Sequence, residues 1–124
     1  MPTPKNVLIV TSRVSTYTEL RDVVREVTKM SPDMGLDKES SSNALSSQTP
    51  FDVIVWDKLE NDAEIPLIRF AKDRFPGAKM LTIADSEEKR EKHMAAGCTH
   101  EAPSIRADDI LMQLLLDQSP VPVA

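Results

Sequence analysis

Three short apolar runs constrain the fold of this chain more than any other feature. They are NVLIV (6–10), FDVIVW (51–56) and KMLTIA (79–84). Each run is rich in Val and Ile and does not alternate with polar residues, which is typical of parallel strands that helices cover on both faces. Because helical patterns separate the runs, we predict an α/β protein built on a parallel sheet.

The first and last helices are marked by apolar periodicity. The first carries apolar residues at i, i+3, i+4 and i+7, namely Leu20, Val23, Val24 and Val27. Thr16 and Glu19 have the spacing of a capping box, so we predict that this helix begins at Thr16. Four apolar residues mark the last helix: Ile110, Leu111, Leu114 and Leu115.

Two helices in the middle of the chain have clear ends. Pro66 lies where a first helical turn would begin, and FPG (75–77) ends that helix. Ser86 caps the next helix, and Gly97 ends it. Strands that alternate with such helices predict right-handed crossovers and a doubly wound sheet.

The remaining elements have weaker patterns. Residues 31–49 are polar and rich in serine, and we predict a short edge strand near 34–38 and a poor helix near 42–48. CTHEA (98–102) predicts a last strand, although it is not apolar. Together with the three runs, these segments bring the predicted strands to five.

Length and composition indicate one globular domain. The 124 residues suit a single core, and we assign the domain to residues 1–117. The segment 118–124 holds two prolines, so it cannot continue the last helix and is either a free end or the start of a linker.

Charge and cysteine content restrict the partners and the compartment. The net charge is −5, with 20 acidic and 15 basic residues and no basic run, which argues against nucleic acid as a partner. Cys98 is the one cysteine and cannot form an internal disulfide, which suits a reducing cytoplasm. No segment resembles a signal peptide or a membrane span, so we expect a soluble cytoplasmic protein with no membrane partner.

Polar residues follow the predicted strands at the edge where function gathers in doubly wound sheets. These positions are Thr11 and Ser12, Asp57 to Leu59, Ala84 and Asp85, and the loop around Pro103 and Ser104. His93 and His100 stand seven residues apart without a ligand cluster around them, so we predict no metal site there.

Three stretches carry a resemblance to a known family. FDVIVWD, LIRFAKDRFPGAKMLTIAD and HMAAGCTHEA resemble, in sequence and spacing, a response-regulator receiver domain of the CheY-like kind, over about residues 5–117. The resemblance implies a flavodoxin-like fold with five parallel strands in the order 2-1-3-4-5. It places Asp57 at the phospho-accepting aspartate and Thr82, 25 residues further on, at the position that contacts the phosphoryl group.

Several positions depart from the pattern of that family. Receivers hold magnesium with an acidic pair after the first strand, where this chain has Thr11 and Ser12. The receiver lysine that follows the fifth strand aligns with Ser104, and the aromatic switch residue aligns with Glu101. Asp57 and Thr82 therefore remain from the phosphorylation machinery.

These departures weaken the chemistry that the resemblance implies. Phosphoryl transfer to a carboxylate needs cations to neutralise its transition state, and Mg²⁺ would find only Asp57 and the Leu59 carbonyl as ligands. No basic residue is predicted to replace the lysine missing at Ser104. Arg13 and Lys58 lie close in sequence to the site, and we predict that one of them pairs with Asp57 and holds a single conformation.

The resulting hypothesis is a pseudo-receiver, a phosphorylation-independent protein–protein interaction module in bacterial signalling, with no enzyme activity and no cofactor. Its interaction face would include Glu87, Arg90, Glu91 and Glu101, on the side where receivers meet partners. Its partners would be signalling proteins, and the sequence leaves a homodimer open.

Two alternatives stand beside this hypothesis. One is a working receiver of a phosphorelay, phosphorylated on Asp57 by a histidine kinase with Mg²⁺ as cofactor. The other, a small flavodoxin-like enzyme or nucleotide binder, is disfavoured because the chain has three glycines and no glycine-rich loop after the first strand.

Overall fold

The three apolar runs form the three central strands of a parallel sheet. The computed structural model describes residues 6–116. Its elements in chain order are β1 (Val7–Val10), α1 (Val14–Thr28), β2 (Asp33–Gly35), α2 (Lys38–Ser46), β3 (Val53–Trp56), α3 (Glu64–Arg74), β4 (Lys79–Ile83), α4 (Glu87–Ala96), β5 (His100–Ala102) and α5 (Ala107–Leu115). The strand order is β2-β1-β3-β4-β5, with every neighbouring pair parallel. The predicted doubly wound, five-stranded fold is confirmed.

The sheet separates two hydrophobic cores, and this explains why its strands are apolar throughout. On one face, alternate strand residues such as Ile9 and Val55 pack with side chains of α1 and α5. On the other face, their neighbours Val10 and Trp56 pack with side chains of α2, α3 and α4. Since both faces of each central strand are covered, both sets of side chains must be apolar.

The start of α1 was predicted wrongly. The helix begins at Val14, with Arg13 in the N-cap position, so Thr16 lies within its first turn and caps nothing. The backbone N–H of Arg13 donates to Oγ1 of Thr11 at 3.1 Å, which helps turn the chain into the helix directly after β1. The spacing of Thr16 and Glu19 matches a capping box by coincidence.

Other predicted ends agree more closely with the structure. Oγ of Ser86 accepts the Lys89 N–H at the start of α4, and Gly97 ends that helix with φ 138°. The edge strand near 34–38 is β2, and the helix near 42–48 is α2, which starts earlier because Asp37 and Ser40 form a capping box. The predicted domain end at residue 117 and the segment 118–124 lie outside the described residues. Within residues 6–116, none of the helices is both long and apolar enough to cross a membrane.

Candidate functional site

The site lies where β1 and β3 end side by side. Val10 and Trp56 are register partners, so the residues that follow them, Thr11 and Asp57, are neighbours at the carboxyl edge of the sheet. The Asp57 N–H donates to the Val10 carbonyl at 2.8 Å, which continues the strand ladder for one more residue. Asp57 therefore has a rigid backbone and a buried side chain, 1% exposed.

Both carboxylate oxygens of Asp57 are occupied by donors. Oδ2 accepts from Oγ1 of Thr11 at 2.7 Å and from Nε and Nη2 of Arg13 at 3.0 and 2.8 Å. Oδ1 accepts from Nζ of Lys89 at 2.7 Å. The predicted contact with Arg13 is confirmed. Lys58, the other predicted partner, makes no side-chain contact with Asp57 in the described part of the chain; its carbonyl accepts from Ser12 instead.

Lys89 is a site residue that was not predicted from the sequence. The prediction that no basic residue replaces the lysine missing at Ser104 is wrong, because Lys89 reaches Asp57 from the first turn of α4. Lys89, His93 and Ala96 stand at i, i+4 and i+7, a spacing that places them on one helix face. Ala96 and His93 are buried, so Lys89 lies on the helix face that packs on the sheet. The spacing is the signal from which this placement could have been predicted.

The cations determine the ionisation of Asp57. Burial by itself would raise the pKa of this carboxyl, but hydrogen bonds from Lys89 and Thr11, the Lys89 charge and a hydrogen bond from Arg13 outweigh it. The pKa of Asp57 is therefore held below its ordinary value. The group is a carboxylate at neutral pH, within an ion cluster of one anion and two cations.

The donor set around Asp57 does not fit Mg²⁺. Magnesium takes oxygen ligands in near-octahedral geometry, usually from one or two carboxylates with phosphate and water. Here Thr11 supplies a neutral hydroxyl already bound to Asp57, and the Ser12 hydroxyl donates to the Lys58 carbonyl at 3.0 Å. Among residues 6–116, no group of three or more His, Cys, Asp or Glu side chains could hold a metal ion.

Ser104, at the position aligned with the receiver lysine, serves a different purpose. Its N–H donates to Oδ1 of Asp85 at 2.8 Å and its hydroxyl donates to Oδ2 at 2.5 Å. These hydrogen bonds, from the side chain first and then the backbone, lower the pKa of Asp85. The pair joins the ends of β4 and β5 and leaves Ser104 with no contact to Asp57.

Thr82 belongs to a buried chain of polar groups on the inner side of α4. Its Oγ1 lies 2.7 Å from Nδ1 of His93, and Nε2 of His93 lies 2.9 Å from Oε2 of Glu64. The other Glu64 oxygen accepts the Leu59 N–H at 2.9 Å. All three side chains are buried, with relative exposures of 2% or less.

Glu64 sets the direction of this chain. Burial would raise the pKa of Glu64, but hydrogen bonds from His93 and from the Leu59 backbone N–H outweigh it, so the pKa is lowered. An ionised carboxylate only accepts hydrogen bonds, so Nε2 of His93 must donate to it. The other ring nitrogen, Nδ1, lies 2.7 Å from Oγ1 of Thr82, so the Thr82 hydroxyl is engaged with a side chain of α4.

The residues predicted as an interaction face are brought together only in part. Nη1 of Arg90 lies 3.3 Å from Oε2 of Glu101, and Nη2 lies 3.2 Å from Oε1 of Glu87. Glu91 is exposed on α4 without a contact to this trio among the described residues. The result is a charged surface spanning α4 and β5.

Comparisons with known proteins support the fold. No family model and no curated protein matches the sequence. Among solved structures, a response regulator from Thermotoga maritima is 15% identical with a TM-score of 0.74, covering 93% of this chain and 97% of that one. A CheY-like response regulator receiver domain protein from Methanospirillum hungatei is 17% identical with a TM-score of 0.75, covering 94% of each chain.

A third similar structure carries a modified aspartate. It is a response regulator protein from Burkholderia pseudomallei with a phosphorylated aspartic acid, a calcium ion and citrate. It is 20% identical with a TM-score of 0.75, covering 90% of this chain and 66% of that one. The chain thus has the fold of a CheY-like receiver domain.

Proposed function

We propose that this protein is a pseudo-receiver, which acts in signal transduction by phosphorylation-independent contact with other proteins and not as an enzyme. The observation that carries the proposal is that Thr11, Arg13 and Lys89 engage both oxygens of the Asp57 carboxylate. A phospho-accepting carboxylate must present a free oxygen to the phosphorus atom. Here each oxygen already accepts a hydrogen bond from a cationic side chain, three bonds in all from Arg13 and Lys89.

The same contacts supply a reason for a fixed conformation. Arg13 lies at the start of α1, Asp57 follows β3 and Lys89 lies in α4, so one buried carboxylate joins three parts of the fold. In addition, the Thr82 hydroxyl is engaged with His93. A switch that acts through these groups would have to break both sets of contacts, and this favours a surface that is constant in shape.

The surface around Arg90, Glu87 and Glu101 is the proposed contact with a partner. Its side chains are charged, 30–75% exposed and paired with one another. The signs of these charges select a partner with complementary charges. We therefore infer a protein partner.

A second function is favoured by one observation, the ammonium group of Lys89 at 2.7 Å from Asp57. A lysine near the acceptor is a group that phosphoryl transfer needs, and the similar Burkholderia protein carries a phosphorylated aspartic acid. In this alternative Asp57 is phosphorylated, with Lys89 and Arg13 neutralising the phosphoryl group in place of Mg²⁺.

Incubation with acetyl phosphate separates the two functions. We expect no phosphate-sized gain in intact mass, with Mg²⁺ or with EDTA, and no change in the fluorescence of the buried Trp56. Asp57→Asn is the control for the site of any adduct. A mass gain that is present in the wild type and lost in this variant would establish the alternative, and its persistence in EDTA would assign the metal's role to Arg13 and Lys89.

A further inference from the structure

Three basic side chains line one cavity at the carboxyl edge of the sheet. The cavity has a volume of about 390 Å³ and is lined by Ser12, Arg13, Asp57, Lys58, Asp85, Ser86 and Lys89. It therefore holds three cations and two carboxylates, whereas the whole chain has a net charge of −5. The local excess of positive charge points to an anionic ligand.

The carboxylates of this cavity are satisfied, and its cations are not. Asp85 is bound by Ser104, and Asp57 has donors on both oxygens. Arg13 gives Nε and Nη2 to Asp57 and has further N–H groups on a side chain that is 56% exposed. Lys89 gives one N–H to Asp57, and the Lys58 ammonium group has no partner within residues 6–116.

The remaining donors suit a tetrahedral oxyanion. Guanidinium and ammonium groups form short, charge-assisted hydrogen bonds with phosphate oxygens, and the guanidinium group can do so with two N–H groups at once. The cavity volume falls within the range of about 300–1,000 Å³ typical of small-molecule sites. There is room for a phosphate group with a small organic substituent.

We propose that this cavity binds inorganic phosphate or a small phosphomonoester without a covalent bond and without a metal ion. Arg13, Lys58 and Lys89 hold the anion, and Asp57 is the internal carboxylate that competes with it for two of these cations. No bond to phosphorus forms or breaks. The inference rests on the proposed function, because it makes Asp57 a counter-ion and not an acceptor.

Because Asp57 competes with the ligand for Arg13 and Lys89, removing its charge should strengthen the binding of phosphate. Asp57→Asn keeps the size of the side chain but removes its charge, so that Arg13 and Lys89 become available to the ligand. We expect this variant to bind phosphate about tenfold more tightly, because charge-assisted hydrogen bonds are the stronger ones. In a phospho-acceptor, the same substitution would also abolish a covalent adduct.

The test is an NMR titration of the ¹⁵N-labelled chain with inorganic phosphate, in EDTA and at constant ionic strength adjusted with chloride. We expect saturable shifts of the amides around residues 13, 58 and 89. Lys89→Met should weaken binding about tenfold. Lys92→Met, one turn further along α4 and paired with Glu88 at the surface, is the matched control with the same loss of charge and should not change it.

A parallel titration with free O-phosphoserine identifies the source of the anion. Tighter binding than that of phosphate would indicate a phosphomonoester, and equal binding would indicate phosphate alone. The proposal is overturned if neither the wild type nor Asp57→Asn shows saturable shifts, or if Lys89→Met and Lys92→Met weaken binding equally. A covalent adduct with acetyl phosphate would refute the proposed function only, since the titration of Asp57→Asn still reports binding without a bond.

Discussion

Two polar clusters, one turn apart on α4, use buried carboxylates in different ways. Lys89 contributes to the ion cluster of Asp57, which lines the cavity of about 390 Å³ at the carboxyl edge of the sheet. His93 contributes to the chain of Glu64 and Thr82, whose side chains are buried, with relative exposures of 2% or less. The cations of the first cluster can turn to water when the carboxylate is lost, and the groups of the second cannot.

This difference separates the expected roles of the two clusters. A partly hydrated ion cluster can exchange one anion for another, which is what the proposed phosphate site requires. An enclosed chain of hydrogen bonds has no such alternative, so it attaches α4 to α3 and β4. The first cluster should affect ligand binding most, and the second should affect stability most.

The largest effect is expected from His93→Leu. This substitution leaves the buried Glu64 carboxylate without its hydrogen bond to His93, which costs about 3 kcal/mol or more because the unsatisfied group is charged. Urea unfolding measures the change. The double variant with Glu64→Leu should regain much of the loss, since it buries no orphan charge. His100→Leu is the control, because Nε2 of His100 is buried without a partner and the change should be smaller, about 1 kcal/mol.

Asp57→Asn should destabilise the protein less, by about 1–3 kcal/mol at neutral pH. The carboxylate loses its charge-assisted hydrogen bonds, but Arg13 and Lys89 can turn to solvent. Urea unfolding at low salt tests this. An increase in stability would contradict the ion cluster, because it is the result expected where an aspartate lies among other carboxylates that repel it.

The stability that Asp57 contributes should depend on pH in a defined direction. Its pKa is lower in the folded state than in the unfolded state, so the contribution is complete above the unfolded pKa of about 3.9. It decreases as the pH falls through the folded pKa. The difference in unfolding free energy between the wild type and Asp57→Asn should therefore be constant from pH 5 to 7 and shrink in more acidic solution. A difference that grows with acidity would mean that the pKa of Asp57 is raised.

The smallest effect is expected at the proposed interaction surface. Arg90→Ala removes two partly exposed ion pairs and should change stability by about 1 kcal/mol or less, because water and salt screen such pairs. Thermal unfolding at low and high salt measures it. A loss of stability well above about 1 kcal/mol would show that these pairs stabilise the fold, and it would count against a role in binding a partner.

Much of the fold could be predicted from the sequence because its signals are local. The strands β1, β3 and β4 carry their apolar pattern within a few residues, and Ser86 and Gly97 mark both ends of α4. The start of α1 could not be predicted, because it depends on the hydroxyl of Thr11, which also bonds to a residue 46 positions away. The capping-box spacing of Thr16 and Glu19 therefore predicted the wrong first residue for α1.

The candidate site was predictable only in part for a similar reason. Arg13 could be placed near Asp57 because both follow neighbouring strands. Lys89 and His93 reach the site from a helix, and their approach depends on how α4 packs on the sheet. The charged run SEEKREK (86–92) predicts a solvated helix face, and its pattern does not show which of its residues points to the sheet.

If the protein is a pseudo-receiver, the surface of α4 and β5 keeps one conformation in the presence of phosphodonors and Mg²⁺. The most direct measurement compares amide resonances of residues 87–102 before and after addition of acetyl phosphate and Mg²⁺. We predict local shifts only at the amides beside the bound anion, around Lys89, and unchanged resonances in β5, including that of Glu101. Displacement of the resonances at Arg90 and Glu101, together with a phosphate-sized mass gain that Asp57→Asn abolishes, would contradict it and show a working switch.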